Sequence, residues 1–205
     1  MATSVTGALY VGTSGFSYPP WRGGFYPPKM RPADFLAFYA DRLPSVELNN
    51  PFHELPPQER FETWAAATPP EFRFAVKMSR QITHMGRFGL IPTFCARVRA
   101  LGERLGPVLV QFPPNRPRDD GMLRLVLDSL DPELEYAFEF RHESWEVDDV
   151  LFAAGIARVG ALDGTAAFRY LRLRDPPYDE EELAEWAARL RPLLVAGIDV
   201  YCYFK

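Results

Sequence analysis

FRFAVK, residues 72–77, is an apolar run that ends in a lysine instead of a turn residue, and the same kind of ending recurs along the chain. LYVGTS (9–14) closes on Ser14, VELNN (46–50) carries Glu47 and Asn49, and VLVQF (108–112) carries Gln111. AFEFRH (137–142) carries Glu139 and Arg141, and YLRL (170–173) carries Arg172. A buried strand normally stays apolar until its turn, so polar side chains repeated at one strand end point to a shared polar site. The intervals are regular: 33 residues from Ser14 to Glu47, 30 to Lys77, 34 to Gln111 and 28 to Glu139. Each holds about one strand, one helix and two loops, the unit of a parallel sheet. The series predicts a β/α barrel, whose active site lies at the C-terminal strand ends.

Helical periodicity fills the gaps. Helices are expected over 32–41, where Phe35, Leu36 and Tyr39 share a face, over 57–68, 93–105, 119–130, 147–154 and 179–197. The loop GFSYPPWRGGFYPPKM (15–30) is long for a βα connection, and long ordered loops tend to be functional. Strand six (ARVGAL, 157–162) is followed by DGTAA (163–167) and then strand seven, FRYLRL (168–173). Five residues span at most about 18 Å, too short for a helical crossover. The expected fold is therefore α/β, a shortened barrel over 1–205 as one domain. Helix six is missing and no final helix comes after DVYCYFK (199–205), leaving a flank through which the chain could oligomerise.

With 47% hydrophobic and 24% charged residues the chain can build a full core. A net charge of −4 argues against a broad electrostatic grip on nucleic acid, so any anion site must be local. Cys95 and Cys202 stand singly without metal-ligand spacing, which fits inert core thiols and a cytoplasmic setting. No apolar run is long enough for a membrane span, and no signal-peptide pattern opens the sequence.

GTSGFSYPPWRGGFYPP (12–28), VELNNPFHELP (46–56), FRFAVKMSRQITH (72–84), LGPVLVQFPP (105–114), FEFRHESW (138–145), YLRLR (170–174) and VYCYF (200–204) together resemble the successive blocks of the YecE-like family, domain of unknown function 72. The resemblance runs nearly end to end. It implies a TIM-like barrel with its motif residues at one mouth, and it brings no established activity. The chain differs from the family pattern in carrying His53 where a tyrosine is usual and in its short strand six to seven connection. It also stops before the asparagines and final helix that are usual after strand eight.

Glu47 and Glu139, at the ends of strands two and five, are the candidate catalytic pair, since two carboxylates across a site are the minimum for acid/base or glycosidic chemistry. The alternative is a structural network in which neighbouring cations neutralise both. Lys77, Arg141 and Arg172 are candidate anion ligands, with Arg174 competing for the role of Arg172. Asn49, Gln111, His84 and His142 share the same end, and Trp21 and Trp145 are candidate stacking rings for a sugar or base. No metal-ligand spacing links the histidines, so neither metal nor cofactor is expected. The chain has no GxGxxG after a strand and no GK[ST] loop, and GTSGF fits a nucleophile elbow only loosely. The leading expectation is a metal-independent enzyme acting on a phosphorylated or anionic sugar or nucleotide-like ligand. Alternatives are a non-catalytic module for nucleic acid or a phosphorylated ligand, and a degenerate structural copy.

Overall fold

A computed structural model describes residues 6–164, 166–174 and 177–205. In chain order the regular elements are β1 (Leu9–Thr13), α1 (Phe35–Ala40), β2 (Ser45–Leu48), α2 (Asn50–His53), α3 (Gln58–Ala66), β3 (Arg73–Lys77), α4 (Arg80–Thr83) and α5 (Ile91–Val98). They continue with β4 (Leu105–Phe112), α6 (Asp120–Ser129), β5 (Tyr136–Phe140), α7 (Asp148–Ala153), β6 (Ala157–Arg158), β7 (Phe168–Leu173), α8 (Glu180–Val195) and β8 (Asp199–Phe204). All strand pairs are parallel, in a five-stranded sheet ordered β2-β3-β4-β5-β6 and a three-stranded sheet ordered β1-β8-β7.

The two sheets approach each other at both edges. At the first, Ser14 bridges Glu47, and the Tyr39 hydroxyl accepts from the Thr13 amide at 2.8 Å while donating to the Ser45 carbonyl at 3.0 Å. Gly12 permits this approach: a Cβ there would lie 2.0 Å from the Ser45 carbonyl oxygen. At the other edge the Gly160 amide donates to the Tyr170 carbonyl at 2.9 Å. Among the described residues neither junction is a continuous ladder.

Side-chain alternation divides the strands into two faces. One face carries Ala75, Leu109, Ala137, Ala157, Phe168, Tyr170, Tyr201 and Tyr203, which pack together as a separate cluster. The opposite face of β2 to β5 carries Val46, Leu48, Phe74, Val76, Val108, Val110, Phe112, Tyr136 and Phe138 into the larger core shared with α1, α3, α5, α6 and α7. Continuing the first face by two residues brings Ala75 to Lys77, Leu109 to Gln111, Ala137 to Glu139, and Tyr170 to Arg172. This parity places the polar strand endings on one side.

Several expected boundaries move. The expected 93–105 helix becomes α5, which ends at Val98, and a 3-10 segment, Arg99–Arg104, interrupted by Gly102 at φ of 59°. The expected 32–41 helix is a 3-10 turn, Pro32–Asp34, followed by α1. Strand six shrinks to two residues, and no described residue between β6 and β7 is helical. Arg169 organises that connection. Its guanidinium is buried and donates to the carbonyls of Leu162 (2.7 Å), Gly164 (2.8 Å), Ala166 (2.8 Å) and Phe168 (3.0 Å). One side chain thus satisfies backbone acceptors that a helix would have satisfied internally. The 179–197 prediction corresponds to α8. There Asp179 accepts from the Glu182 amide and Glu182 accepts from the Asp179 amide, both at 2.9 Å, a capping box at the start of an acidic first turn. Leu190 of α8 joins Leu171, Leu173, Val200 and Cys202 in a third core cluster, so the β7–β8 part of the flank is covered. Among the described residues no helix is long and apolar enough to cross a membrane.

Candidate functional site

Glu47, at 0% exposure, is the most saturated side chain of the strand ends. Its Oε1 accepts from Ser14 Oγ (2.9 Å), Arg172 Nη2 (2.9 Å) and Asn49 Nδ2 (3.2 Å), and its Oε2 accepts from the Tyr170 hydroxyl (2.8 Å). Both carboxylate oxygens of Glu47 are therefore engaged, Oε1 by three donors and Oε2 by one. Burial and the nearby Glu47 charge push the Tyr170 hydroxyl well above its ordinary pKa, which keeps it a donor.

Arg172 links Glu47 to Glu139. Its Nη1 donates to Glu139 Oε2 at 2.8 Å, where Gln111 Nε2 also donates at 2.7 Å. Arg174 donates to Glu139 Oε1, and Arg141 Nε stands 3.8 Å from the same oxygen, too far for a hydrogen bond. Burial raises the Glu139 pKa, but Arg172, Gln111 and Arg174 outweigh it and hold the carboxyl below its usual range. Burial likewise opposes the charge on Arg172, and Glu47, Tyr170 and Glu139 reverse that, leaving it above its usual range. A single guanidinium therefore lies between the two carboxylates, where glycosidic chemistry would need the sugar to sit.

Lys77 differs from the other cations. It is 8% exposed, and among the described residues its ammonium makes no ion pair or side-chain hydrogen bond. Its Nζ lies 3.8 Å from the Phe52 ring centroid, a surface with no proton acceptor of the oxygen kind. Burial, then the Arg172 charge, lowers it to about 8, with Arg141 adding to the effect and Glu47 and Glu139 opposing it. Burial and then Lys77, Arg80, Arg116 and Arg141 lower the pKa of His84, which marks a local excess of positive charge in an acidic chain.

The structure thus brings together Glu47, Asn49, Lys77, Gln111, Glu139, Arg141 and Arg172, with His84 at the side, its Nδ1 2.8 Å from the Thr83 hydroxyl. The other expected residues are placed differently. Trp145 is 2% exposed, stacks on Phe140 with 4.4 Å between centroids, and donates from its indole nitrogen to the Arg116 carbonyl at 2.8 Å. It is a core ring with its polar atom already used, which corrects its assignment as a stacking platform. Trp21 packs against Tyr18, Phe25 and Tyr26 within its own loop. His142 accepts from the Ser144 amide at 3.2 Å and shares a 2.9 Å hydrogen bond with the Ser144 hydroxyl. Tyr170 was missed; the two-residue parity with Arg172 in FRYLRL was the signal for it. A cleft of about 750 Å³, lined by Phe16, Asn50, His53 and Trp64 among others, lies beside α3 and includes none of the charged network.

A parallel α/β fold with a buried, cation-rich set of residues at the strand ends is the class these features define. The family model for DUF72, a protein of unknown function, matches residues 10–205, and the chain belongs to that family. Among solved structures, a DUF72 family protein from Thermotoga maritima MSB8 is similar at 27% identity and TM-score 0.82, over 97% of this chain and 92% of that one. A DUF72 family protein from Enterococcus faecalis V583, at 19% identity and TM-score 0.80, shares the fold over 98% of this chain and 91% of its own. Among curated proteins none matches.

Proposed function

We propose that the chain is a metal-independent enzyme acting on a phosphorylated or otherwise anionic sugar or nucleotide-like ligand. The site is the cluster of strand ends, taken as the mouth of a shortened TIM-like barrel. The observation that carries this reading is Lys77, a mostly buried cation with no carboxylate within ion-pair distance among the described residues. Arg172, Arg174, Arg141 and Lys77 surround two carboxylates, so the cluster has cationic charge in excess of its own acids. A ligand anion would neutralise that excess, with Arg141 and Lys77 meeting it.

The two glutamates divide the remaining work. Glu139 is held ionised and has an acceptor position left over from its three hydrogen bonds, so it acts as a general base. Glu47, fully buried and accepting four hydrogen bonds, assists by fixing Arg172. The test is a melting series with ribose 5-phosphate, adenosine monophosphate and inorganic phosphate, followed by turnover assays on whichever stabilises. We expect stabilisation that Arg141→Ala weakens and turnover that Glu139→Gln abolishes. A melt unmoved by every phosphorylated compound, or turnover untouched by Glu139→Gln, would overturn the reading.

A further inference from the structure

Lys77 is chemically singular among the cations of this chain. Of the 23 lysines and arginines only Lys29, Lys77 and Lys205 are lysines, and of these only Lys77 is buried. Elsewhere at these strand ends the cations are arginines, which stay charged at any ordinary pH. The one cation here that can shed its proton is also the one without a carboxylate partner among the described residues. Its nitrogen rests against the Phe52 ring, Arg172 and Arg141 disfavour its charge while Glu47 and Glu139 favour it, and its charge in turn acts on His84. A carboxylate in contact would lock the ammonium; here none does.

We propose that Lys77 is a nucleophile that forms an imine with the carbonyl carbon of a phosphorylated aldehyde or ketone, such as an open-chain sugar phosphate. The inference rests on the anion-site reading and names its substrate class. The lone pair of neutral Nζ forms the new C–N bond as the carbonyl π pair moves to oxygen, giving a carbinolamine. The C–O bond then breaks, and the oxygen leaves as water with the two hydrogens that the amine nitrogen brought. No oxidant or reductant enters. The free amine is accessible near neutrality, because burial and Arg172 bring the ammonium to about 8. Glu139, ionised, with an acceptor position open and beyond ion-pair distance of Nζ, takes through an intervening water the proton that leaves the nitrogen and returns it to the departing oxygen. Arg141, loosely held at 3.8 Å from Glu139, remains to take the phosphate.

Reductive trapping tests this directly. The full chain is incubated with glyceraldehyde 3-phosphate or with uncharged glyceraldehyde in the presence of sodium cyanoborohydride, and the adducts are mapped by peptide mass spectrometry. The expected product adds the mass of the aldehyde less one oxygen, at Lys77 in preference to Lys29 and Lys205 by about tenfold or more. The phosphorylated aldehyde should react faster, and inorganic phosphate should slow it. Lys77→Met and Lys77→Arg, each checked for a cooperative melt, should both lose the adduct. Labelling spread equally over the three lysines, or absent from Lys77, overturns the proposal. If inorganic phosphate stabilises the protein while Lys77 stays unlabelled, the imine fails and the anion site stands. If both aldehydes label Lys77 equally and phosphate has no effect, the imine stands and the anion site fails.

Discussion

Arg172 donates through Nη2 to Oε1 of Glu47 at 2.9 Å, in a pair whose side chains are 5% and 0% exposed. The same guanidinium reaches Glu139 through Nη1, so one buried cation serves two carboxylates from different strands. Truncating one partner of a buried pair strands the other's charge, and here it would strand two. Arg172→Ala should cost about 3–5 kcal/mol of folding stability, measured by urea denaturation. Arg172→Lys should recover part of that loss but not the double bridge.

Glu139 sets an acid limit. Its folded pKa lies below the ordinary carboxylate value because Arg172, Gln111 and Arg174 outweigh burial. A depressed carboxylate stabilises the fold fully above its unfolded pKa, about 4.3, and that contribution is lost as pH falls through the lower folded value. Wild-type stability should therefore drop below about pH 4.3. The drop should be shallower in Glu139→Gln, as followed by melting between neutral and acid pH. An equal acid slope in the two proteins would refute this assignment.

Lys77 gives a slope of the same sign in a more alkaline window, because its pKa is also lowered by folding. Its folded pKa, about 8, lies below that of an ordinary lysine, so between the two the unfolded chain holds the extra proton. Stability attributable to Lys77 should rise with pH across that window. Lys77→Met should lose this rise and be more stable than wild type at neutral pH, by about 1–3 kcal/mol. A destabilised Lys77→Met at neutral pH would mean that the ammonium is better satisfied than its surroundings imply.

Arg169 is predicted to matter for the fold and not for ligand. Its donors hold the carbonyls of Leu162, Gly164, Ala166 and Phe168. Arg169→Leu should cost about 1–3 kcal/mol and raise amide exchange at residues 159–164. Phosphate-induced stabilisation of the folded fraction should be unchanged.

Much of the fold was readable because parallel strands repeat. The polar endings at Glu47, Lys77, Gln111 and Glu139 recur at a nearly constant interval, and each lies on a strand face set by two-residue alternation. The breaks arose where a single residue decides local geometry. Gly102 interrupts the 3-10 segment after α5 by turning to positive φ, and Arg169 substitutes side-chain donors for a helix between β6 and β7. Neither effect has a periodic signature. In the site, residue type suggested which groups gather but not who pairs with whom. Trp145 looked like an open ring in FEFRHESW, yet Phe112 and Phe140 enclose it. Arg172 and Arg174 were rivals for one role, and both reach Glu139 because residues two apart on a strand share a face. That Lys77 has no carboxylate partner among the described residues depends on other strands and could not be read from FRFAVK alone.

The most direct test of the account uses the scarcity of lysine. With only Lys29, Lys77 and Lys205 in the chain, carbon-13 dimethylation gives three assignable side-chain NMR signals. We predict that the Lys77 signal titrates near 8, well apart from the other two, and that adding ribose 5-phosphate shifts it selectively. A Lys77 signal that titrates with the exposed lysines, at about 10.4, and does not respond to the sugar phosphate would contradict the central claim that these strand ends form a reactive anion site.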